Sequence, residues 1–442
     1  MEAERFGCII VGGGIAGLSA AMVLARHEVP FLLIERGAYS GAKNVSGGVL
    51  WGTDLARLVP EYWNDPNAGF ERFINHRRLT FLDEQSAFSI DFKSSHYDTP
   101  PYMGVTVLRA VFDRWLADKV QEAIDQSACA DTSFLAFDVL VERLLVEDGR
   151  VVGVEAGGER FYTDCVILAE GVNNLLTRQI GLQTEYVPAD HMAVGVKEVL
   201  RFDRKVLEDR FQLSERSGMA NEFIGTITDG VEGGGFLYTN RTTVSIGLVL
   251  GMADLRRKRK KPYELLDRFK AHPVVADMIR GGEVVEYSAH VVSTGDMRAM
   301  PRELYADGVL VAGEAANLLL NAGKAIQGMD FAMHSGILAA ETVLEARRVG
   351  DFSAATLRRY RERLEQSYVL QNMRNFQAAV RLLHEPVMHE RMPRLVCDLS
   401  REFFRVENRP APKLRQILRE VVRRHSSLPE LLKLTYRAWK AL

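Results

Sequence analysis

The feature that most constrains the fold is a glycine-rich turn between an apolar run, residues 6–11, and a helix-forming run, residues 18–26. Its glycines have the spacing Gly-x-Gly-x-x-Gly and are Gly12, Gly14 and Gly17. A second apolar run, residues 29–34, ends at Glu35. This order of strand, turn, helix, strand and acid predicts a Rossmann-like βαβ unit that binds a dinucleotide.

Each conserved part of such a unit has a physical role. We expect Gly12 to permit the tight turn, Gly14 to let a pyrophosphate approach the backbone, and Gly17 to let the helix pack closely on the strand. The helix N-terminus offers unpaired N–H groups to the phosphates. Glu35 can accept hydrogen bonds from a ribose diol. The alternative is a βαβ unit that binds nothing.

Composition and charge exclude several other classes of protein. The chain has 442 residues, 47% of them hydrophobic, and a formal net charge of −2, so nothing indicates a nucleic-acid partner. The sequence contains neither a signal peptide nor an apolar run long enough to span a membrane, which predicts a cytoplasmic protein. The four cysteines are too dispersed for a zinc site or an iron–sulfur cluster and are expected to be reduced core residues: Cys8, Cys129, Cys165 and Cys397.

Three separated segments look like parts of one nucleotide-binding domain. The second segment contains a predicted hairpin with an Asp148-Gly149 turn and a buried strand, residues 164–168, that leads to Ala-Glu-Gly. The third contains an apolar strand, residues 308–312, followed by Gly-Glu-Ala-Ala and a long helix, residues 328–347. We therefore expect an α/β fold with a discontinuous nucleotide-binding domain formed by residues 1–71, 107–189 and 296–350.

The insertions between these segments predict a second domain. Residues 72–106 and 190–295 contain strand-like runs, which suggest a mainly antiparallel sheet forming one wall of a substrate cleft. Residues 351–442 are predicted to be helical and rich in arginine. The basic run 256–261 is expected to be a solvated turn; an acidic partner or anionic lipid is the alternative.

Further candidate site residues follow from their places at strand ends. Arg109, at the start of a predicted helix, could reach a pyrophosphate or flavin edge, or could simply pair with Asp113. The glycine-dense loop 41–48 could let a flat ring lie against the backbone. Glu314 could hydrogen bond ribityl hydroxyls, and the helix entered at Gly328-Met329 could favour negative charge on the ring.

No catalytic triad, metal cluster or nucleophile elbow is present, and none of the ten histidines lies beside a motif that would recruit it. His76, His96 and His334 are expected to be structural. We therefore assign no catalytic residue and no metal ligand. A flavin would itself carry out electron transfer, for which the protein supplies positioning and electrostatics.

As a set, these motifs resemble the electron transfer flavoprotein:quinone oxidoreductase family, and within it the FixC type. The matching segments are Gly12-x-Gly14-x-x-Gly17, Glu35-Arg36-Gly-x-x-x-Gly41-x-Lys43-Asn44-Val45, Arg109, Ala169-Glu170-Gly171, Gly233-x-Gly-Phe-x-Tyr-Thr-Asn240, Lys270-Ala-His-Pro273, Glu286-Tyr-Ser-Ala289, Gly313-Glu314-Ala-Ala316 and Ser335-Gly-Ile-Leu-Ala-Ala-Glu341. The resemblance covers residues 6–350.

The resemblance implies an FAD-binding domain of glutathione-reductase type and an enzyme that passes electrons from an electron transfer flavoprotein to a quinone. The FAD contacts it implies are Gly12, Gly14, Gly17, Glu35, Arg36, Lys43, Asn44, Arg109, Glu170, Gly171, Gly313, Glu314, Gly328 and Met329. It also implies that residues 72–106 and 190–295 form the quinone domain and that residues 351–442 dock a partner.

The sequence departs from the family at two points. The quinone oxidoreductases carry a four-cysteine iron–sulfur domain, whereas Cys397 stands alone in the C-terminal region. FixC-type proteins also lack that domain, which implies FixA/FixB-like flavoprotein partners, a FixX-like ferredoxin partner, an electron-bifurcating complex and a peripheral place on the inner face of the cytoplasmic membrane. Glu314 replaces the usual aspartate, and its side chain is one methylene longer.

Two other functions share these FAD motifs. One is a reductase of isoprenoid groups, like the geranylgeranyl reductases, and the other is an aromatic hydroxylase. The Phe236-to-Asn240 segment and the Lys270-to-Pro273 segment favour the FixC type. A flavin-free interaction subunit is a third possibility, against which the intact glycine set argues.

Overall fold

The computed structural model describes residues 4–44, 48–183, 186–323 and 325–441, without the side chain of Leu428. Val45 and the rest of the predicted loop up to Gly47 lie outside the described residues.

A six-stranded central sheet joins all three segments of the predicted nucleotide-binding domain. Its strands, in order across the sheet, are Tyr305–Ala306, Val309–Val311, Val166–Leu168, Cys8–Val11, Phe31–Ile34 and Phe134–Ala136. All neighbours are parallel except the first pair. The strands from Val309 to Ile34 in this order are fully buried, which explains their continuous apolar sequences.

Three long helices accompany this sheet. Helix Ile15–Arg26 contacts both Arg109–Asp125 and Met329–Val349. Helices Ile15–Arg26 and Met329–Val349 meet so closely that a Cβ on Gly336 would overlap the carbonyl oxygen of Ala16. Helix Met329–Val349 is therefore fixed against the helix that follows the glycine turn.

A smaller sheet contains the predicted hairpin. Its four strands, in order, are Arg5–Phe6, Glu159–Thr163, Arg150–Ala156 and Val141–Glu147. Asp148 and Gly149 both have positive φ, 48° and 82°, as a two-residue type I′ turn requires.

A nine-stranded large sheet is formed mainly by the two insertions. Its strands, in order, are Glu283–Ser293, Met192–Arg201, Thr243–Gly251, Gly233–Thr239, Ser217–Gly225, Phe70–Leu82, Gly104–Val107 and Gly48–Trp51, with Ala87–Lys93 paired to Phe70–Leu82. Ser217–Gly225 and Phe70–Leu82 are parallel, and the other pairs are antiparallel. Gly48–Trp51 belongs to this sheet although the predicted first segment runs to residue 71, because it pairs with a strand more than fifty residues later.

The C-terminal region is helical. Its first part contains three short helices rather than one long helix, because Ser367 and Phe376 have non-helical conformations at the junctions. The helices of the region are Ala354–Gln366, Tyr368–Asn375, Gln377–Leu383, the π-helical Val387–Arg391, Met392–Phe404, Leu414–His425 and Leu428–Ala441. Among the described residues, we find no helix with the length and hydropathy needed to cross a membrane.

Shorter helices connect the strands of the three sheets. They are Asp54–Leu58, Leu175–Gln179, Arg204–Phe211, Met252–Lys258, Pro262–Ala271 and Pro273–Ile279. The basic run 256–261 spans the end of one of them. Lys258, Lys260 and Lys261 lie within ion-pair distance of acidic side chains, in keeping with a solvated turn.

Candidate functional site

A cavity of about 410 Å³ lies at the carboxyl end of the central sheet, against the large sheet. Most of the predicted FAD contacts line it: Gly12, Gly14, Glu35, Arg36, Lys43, Asn44, Arg109, Glu170, Gly171, Glu314, Gly328 and Met329. Two predicted contacts, Gly17 and Gly313, lie behind the wall. We call this space the first cavity.

The glycine turn supplies one wall of the first cavity. Gly12 has φ 106°, and Gly14 is the N-cap of helix Ile15–Arg26. A Cβ on Gly14 would lie 3.9 Å from its nearest neighbours, the Arg109 and Asn44 side chains, so the position opens into the cavity. A Cβ on Gly17 would instead overlap the carbonyl oxygen of Gly12. Gly14 thus leaves space for a ligand, Gly12 permits the turn close to the Ala169 carbonyl oxygen, and Gly17 serves the packing of helix on strand.

Glu35 is held in place by the same turn. Its two carboxylate oxygens accept hydrogen bonds from the Gly13 and Gly37 backbone N–H groups, both at 2.7 Å. Each oxygen keeps a further lone pair for a ligand hydroxyl. The carboxylate is therefore oriented before any ribose arrives.

Arg109 lines the cavity and also pairs with Asp113. Its Nε and Nη2 donate to the two Asp113 carboxylate oxygens, each at 2.7 Å, and Asn44 Nδ2 donates to the same carboxylate at 2.7 Å. Asp113 is completely buried. The pair fixes the Arg109 guanidinium at the cavity wall, so the two roles considered for Arg109 are compatible.

Glu314 presents a buried carboxylate oxygen that is available to a ligand. Its Oε1 is buried and has no hydrogen-bond partner among the described residues. Burial raises the pKa of Glu314 to about 7, although the Ser293 backbone hydrogen bond and the Arg109 charge act in the opposite direction. A buried acceptor facing a cavity fits the hydroxyl groups of a ribityl chain.

The remaining predicted residues also form hydrogen bonds or helix caps in the local structure. The Glu170 carboxylate accepts hydrogen bonds from the Leu176 and Thr177 backbone N–H groups at 3.0 and 2.8 Å, so it caps a short helix. Gly313 has φ 67° and donates its N–H to Ser335 Oγ at 2.9 Å. Gly328 is the N-cap of helix Met329–Val349, whose N-terminus therefore faces the cavity.

The opposite wall comes from the large sheet, and sequence reasoning did not predict which of its side chains line the cavity. Lys197, Phe236, Tyr238 and His290 line the cavity there. Phe236 and Tyr238 are stacked with ring centroids 5.0 Å apart, and burial lowers the pKa of both Lys197 and His290. Phe236 and Tyr238 lie in one of the matching family segments, but no local pattern assigns any of the four residues to the cavity, since strand pairing between distant segments brings them together.

A second cavity of about 210 Å³ lies beyond this wall and is lined mainly by apolar and glycine residues. The two cavities share five lining residues: Phe236, Val249, Val292, Leu319 and Ile326. His384 and His389 of the C-terminal region also line the second cavity. The sequence motifs did not indicate this position for either residue.

The chain matches three family models. Residues 8–130 match "FAD dependent oxidoreductase", residues 192–292 match "ETF-QO, ubiquinone-binding", and residues 379–442 match "ETF-QO/FixC family C-terminal domain". The first model covers the glycine turn, and the second covers five strands of the large sheet except the last residue of Glu283–Ser293.

Two curated relatives are similar along almost their full length. Protein FixC of Salmonella typhimurium is 42% identical over 420 residues, 95% of each chain. A probable electron transfer flavoprotein-quinone oxidoreductase, YdiS, of Escherichia coli is 38% identical over 421 residues, also 95% of each chain.

Among solved structures, a geranylgeranyl bacteriochlorophyll reductase-like protein from Thermoplasma acidophilum has a TM-score of 0.73. At 17% identity over 99% of this chain and 100% of that chain, it shows a shared fold. With FAD as its cofactor, the chain is an FAD-dependent oxidoreductase of the electron transfer flavoprotein:quinone type, and it belongs to the ETF-QO/FixC family.

Proposed function

We propose that the chain accepts electrons from an electron transfer flavoprotein at FAD in the first cavity and passes them to a quinone in the second. The observation that carries this proposal is the shared wall: the same five residues line both cavities, so a donor and an acceptor would lie on its two sides. FAD supplies the redox chemistry when bound. The second cavity is mostly apolar, as a quinone headgroup requires.

The residues of the first cavity would hold FAD in the following way. Gly14 leaves room for the pyrophosphate, Glu35 accepts from the adenosine ribose, and Glu314 accepts from the ribityl chain. Arg109 and the N-terminus of helix Met329–Val349 place positive charge beside the site. These assignments rest on the open Gly14 position, the oriented Glu35 carboxylate and the unpartnered Glu314 oxygen.

We further propose that the chain works within a FixABCX-like complex and that an iron–sulfur partner carries the next redox centre. The four cysteines are separately buried. Within the described ranges, no group of His, Cys, Asp or Glu is placed to hold a metal ion. Electron bifurcation, if the complex performs it, would then take place at a flavin of the FixA/FixB-like partners.

A peripheral membrane contact is part of the same proposal, because a long-chain quinone resides in the bilayer. Large apolar side chains are exposed in the C-terminal region, among them Phe404 and Trp439, at 76% and 77%. Exposed arginines, including Arg415 and Arg419, lie on an adjacent helix. This combination suits an anionic lipid surface.

The test is a stopped-flow measurement with the FAD-loaded chain, its cognate electron transfer flavoprotein and decylubiquinone. We expect the flavin to be reduced by the flavoprotein and reoxidised by the quinone. Leu383→Trp, which fills the second cavity, should slow reoxidation by quinone and leave flavin reduction unchanged. Val206→Trp, on the exposed face of helix Arg204–Phe211 and outside the C-terminal region, is the matched control.

Two results would contradict the proposal. Flavin that stays reduced in the presence of quinone would exclude quinone as the acceptor. Rapid reduction by NADPH alone, stimulated by a small aromatic compound, would instead establish a hydroxylase.

A further inference from the structure

The second cavity contains two protonatable side chains whose polar atoms are not satisfied by the protein. His389 is 1% exposed, and neither ring nitrogen has a hydrogen-bond partner among the described residues. Glu222 Oε1 is also buried without a hydrogen-bond partner, and the Arg77 guanidinium lies 3.7 Å away. An unsatisfied buried polar atom is costly, so a pair of them at one cavity indicates a polar ligand.

The positions of these two side chains make a joint role possible. Glu222 lies on strand Ser217–Gly225, and His389 lies on the π-helical turn Val387–Arg391, which packs against that strand. π-Helical turns occur frequently at functional sites. His384 and Glu232 also line this cavity, but these two side chains already pair with each other.

We propose that His389 and Glu222 hydrogen bond the carbonyl oxygens of a quinone headgroup in the second cavity and deliver the two protons that its reduction consumes. This inference rests on the proposed function. In the reaction the quinone gains two electrons from the reduced flavin and two protons from these side chains. Two O–H bonds form, and the flavin is oxidised and releases its own proton to solvent. Glu222 is reprotonated from solvent, whereas His389 takes up a proton from solvent before it donates one and so ends as the neutral ring.

The electrostatic surroundings suit this order of events. Burial raises the pKa of Glu222 to about 7, so near neutral pH a large fraction of the side chain is a carboxylic acid that can donate. Burial lowers the pKa of His389, so its resting ring is neutral and presents one N–H. Negative charge arriving on the quinone would raise the pKa of His389 and draw a proton to it.

Other charged groups face the same two side chains. Glu390, Glu232 and Asp254 raise the pKa of His389, whereas Lys258 lowers it. Arg77 lowers the pKa of Glu222. Pairing with Glu232 raises the pKa of His384, and both residues line the same cavity. The pH dependence of quinone reduction would therefore reflect the titration of His389 and Glu222, while the surrounding charges stay the same.

The experiment compares His389→Gln, Glu222→Gln and the double variant with the FAD-loaded wild type. The matched control is His272→Gln, another buried histidine, which contacts the Asp83 carbonyl and lies outside both cavities. Two acceptors are used with reduced enzyme. Decylubiquinone needs protons as well as electrons for its reduction, whereas ferricyanide takes one electron and no proton. Calorimetric titration of oxidised enzyme with decylubiquinone gives the affinity separately from activity.

We expect each cavity variant to bind decylubiquinone several-fold more weakly and to reduce it at least tenfold more slowly, while its ferricyanide rate stays that of the wild type. The double variant should lose the pH dependence of quinone reduction between pH 6 and 8. His272→Gln should match the wild type in all three measurements. Glu222→Gln is nearly isosteric, so it keeps the test open if His389→Gln does not fold.

Two outcomes separate this inference from the proposed function. Variants that bind and reduce decylubiquinone as the wild type does, or that lose ferricyanide and quinone rates equally, overturn the inference alone. A wild-type enzyme that leaves decylubiquinone oxidised overturns the proposed function, and the inference with it.

Discussion

At the scale of single residues, the glycine turn separates binding from packing. Gly14 and Gly17 belong to the same motif, yet a Cβ would have open space at Gly14 and would overlap a carbonyl oxygen at Gly17. The motif alone predicts a dinucleotide site, and the backbone geometry shows which glycine can change without disturbing the fold. Substitution of Gly14 should therefore affect ligand binding, whereas substitution of Gly17 should affect folding.

We expect Gly14→Val to abolish FAD binding while the protein keeps its fold, because the new side chain would occupy the pyrophosphate position. Gly17→Val should instead prevent stable folding, since the helix must move away from the strand. The flavin absorbance per protein and the thermal melting curve distinguish the two. Stoichiometric FAD in Gly14→Val would refute the assigned site.

The position of Glu314 could be predicted from the sequence, but the environment of its carboxylate could not. Its place after an apolar strand is evident from the sequence, but its unpartnered oxygen depends on how Ser293 and Arg109 surround it. The folded-state pKa of about 7 lies above the ordinary value of 4.5. A carboxyl with a raised folded pKa contributes stability that is fully present below its unfolded pKa and is lost as pH rises through the folded pKa.

We therefore expect flavin-depleted wild-type protein to lose stability between about pH 4.5 and pH 7 more steeply than Glu314→Gln, which cannot titrate. Each unit of pKa difference corresponds to about 1.4 kcal/mol in the free energy of unfolding. Urea unfolding at a series of pH values measures both slopes. Parallel slopes would mean that Glu314 ionises in the folded protein as it does in water.

At the scale of elements, the site depends on helix Met329–Val349 being held close to helix Ile15–Arg26. The N-termini of both helices face the first cavity, and their contact passes over Gly336, where a Cβ would overlap the Ala16 carbonyl. The long helix was predicted, at residues 328–347 after the Gly-Glu-Ala-Ala strand end. The need for glycine at position 336 was not, because it arises from a partner helix more than three hundred residues earlier.

Gly336→Ala should destabilise the protein by about 1–3 kcal/mol, since the added methyl forces the two helices apart. FAD binding should weaken as well, because Gly328 and Met329 move with the helix. Arg348→Ala, on the exposed end of the same helix, is the control and should change neither quantity. Equal unfolding free energies for the two variants would contradict the close-contact argument.

At the scale of the whole molecule, the two sides of the first cavity differ in how far the sequence predicts them. The central sheet and its acids could be located because each strand of the βαβ pattern ends in a local motif. An antiparallel sheet was expected as one wall of a cleft, but the residues that line it could not be located, since they reach the cavity through the register of antiparallel strands: Lys197, Phe236, Tyr238 and His290. His384 and His389 depend on how the C-terminal helices pack on that sheet.

The C-terminal region supplies the last prediction, which concerns the membrane. Phe403 and Phe404 end helix Met392–Phe404 and are 55% and 76% exposed. If these rings enter a lipid surface, each contributes about 1.5–3 kcal/mol when fully buried. The double variant Phe403→Ser and Phe404→Ser should then bind vesicles of phosphatidylglycerol and phosphatidylcholine at least tenfold more weakly in a flotation assay.

Phe92→Ser is the matched control, because Phe92 is 53% exposed on strand Ala87–Lys93, outside the C-terminal region. It should bind vesicles as the wild type does. Equal vesicle binding by all three proteins would assign the exposed C-terminal rings to a protein partner instead. Decylubiquinone reduction in detergent should be unaffected by the double variant, since a water-dispersed quinone reaches the second cavity without the bilayer. A loss confined to membrane-bound quinone would therefore place the entrance to that cavity on the lipid-facing side of the molecule.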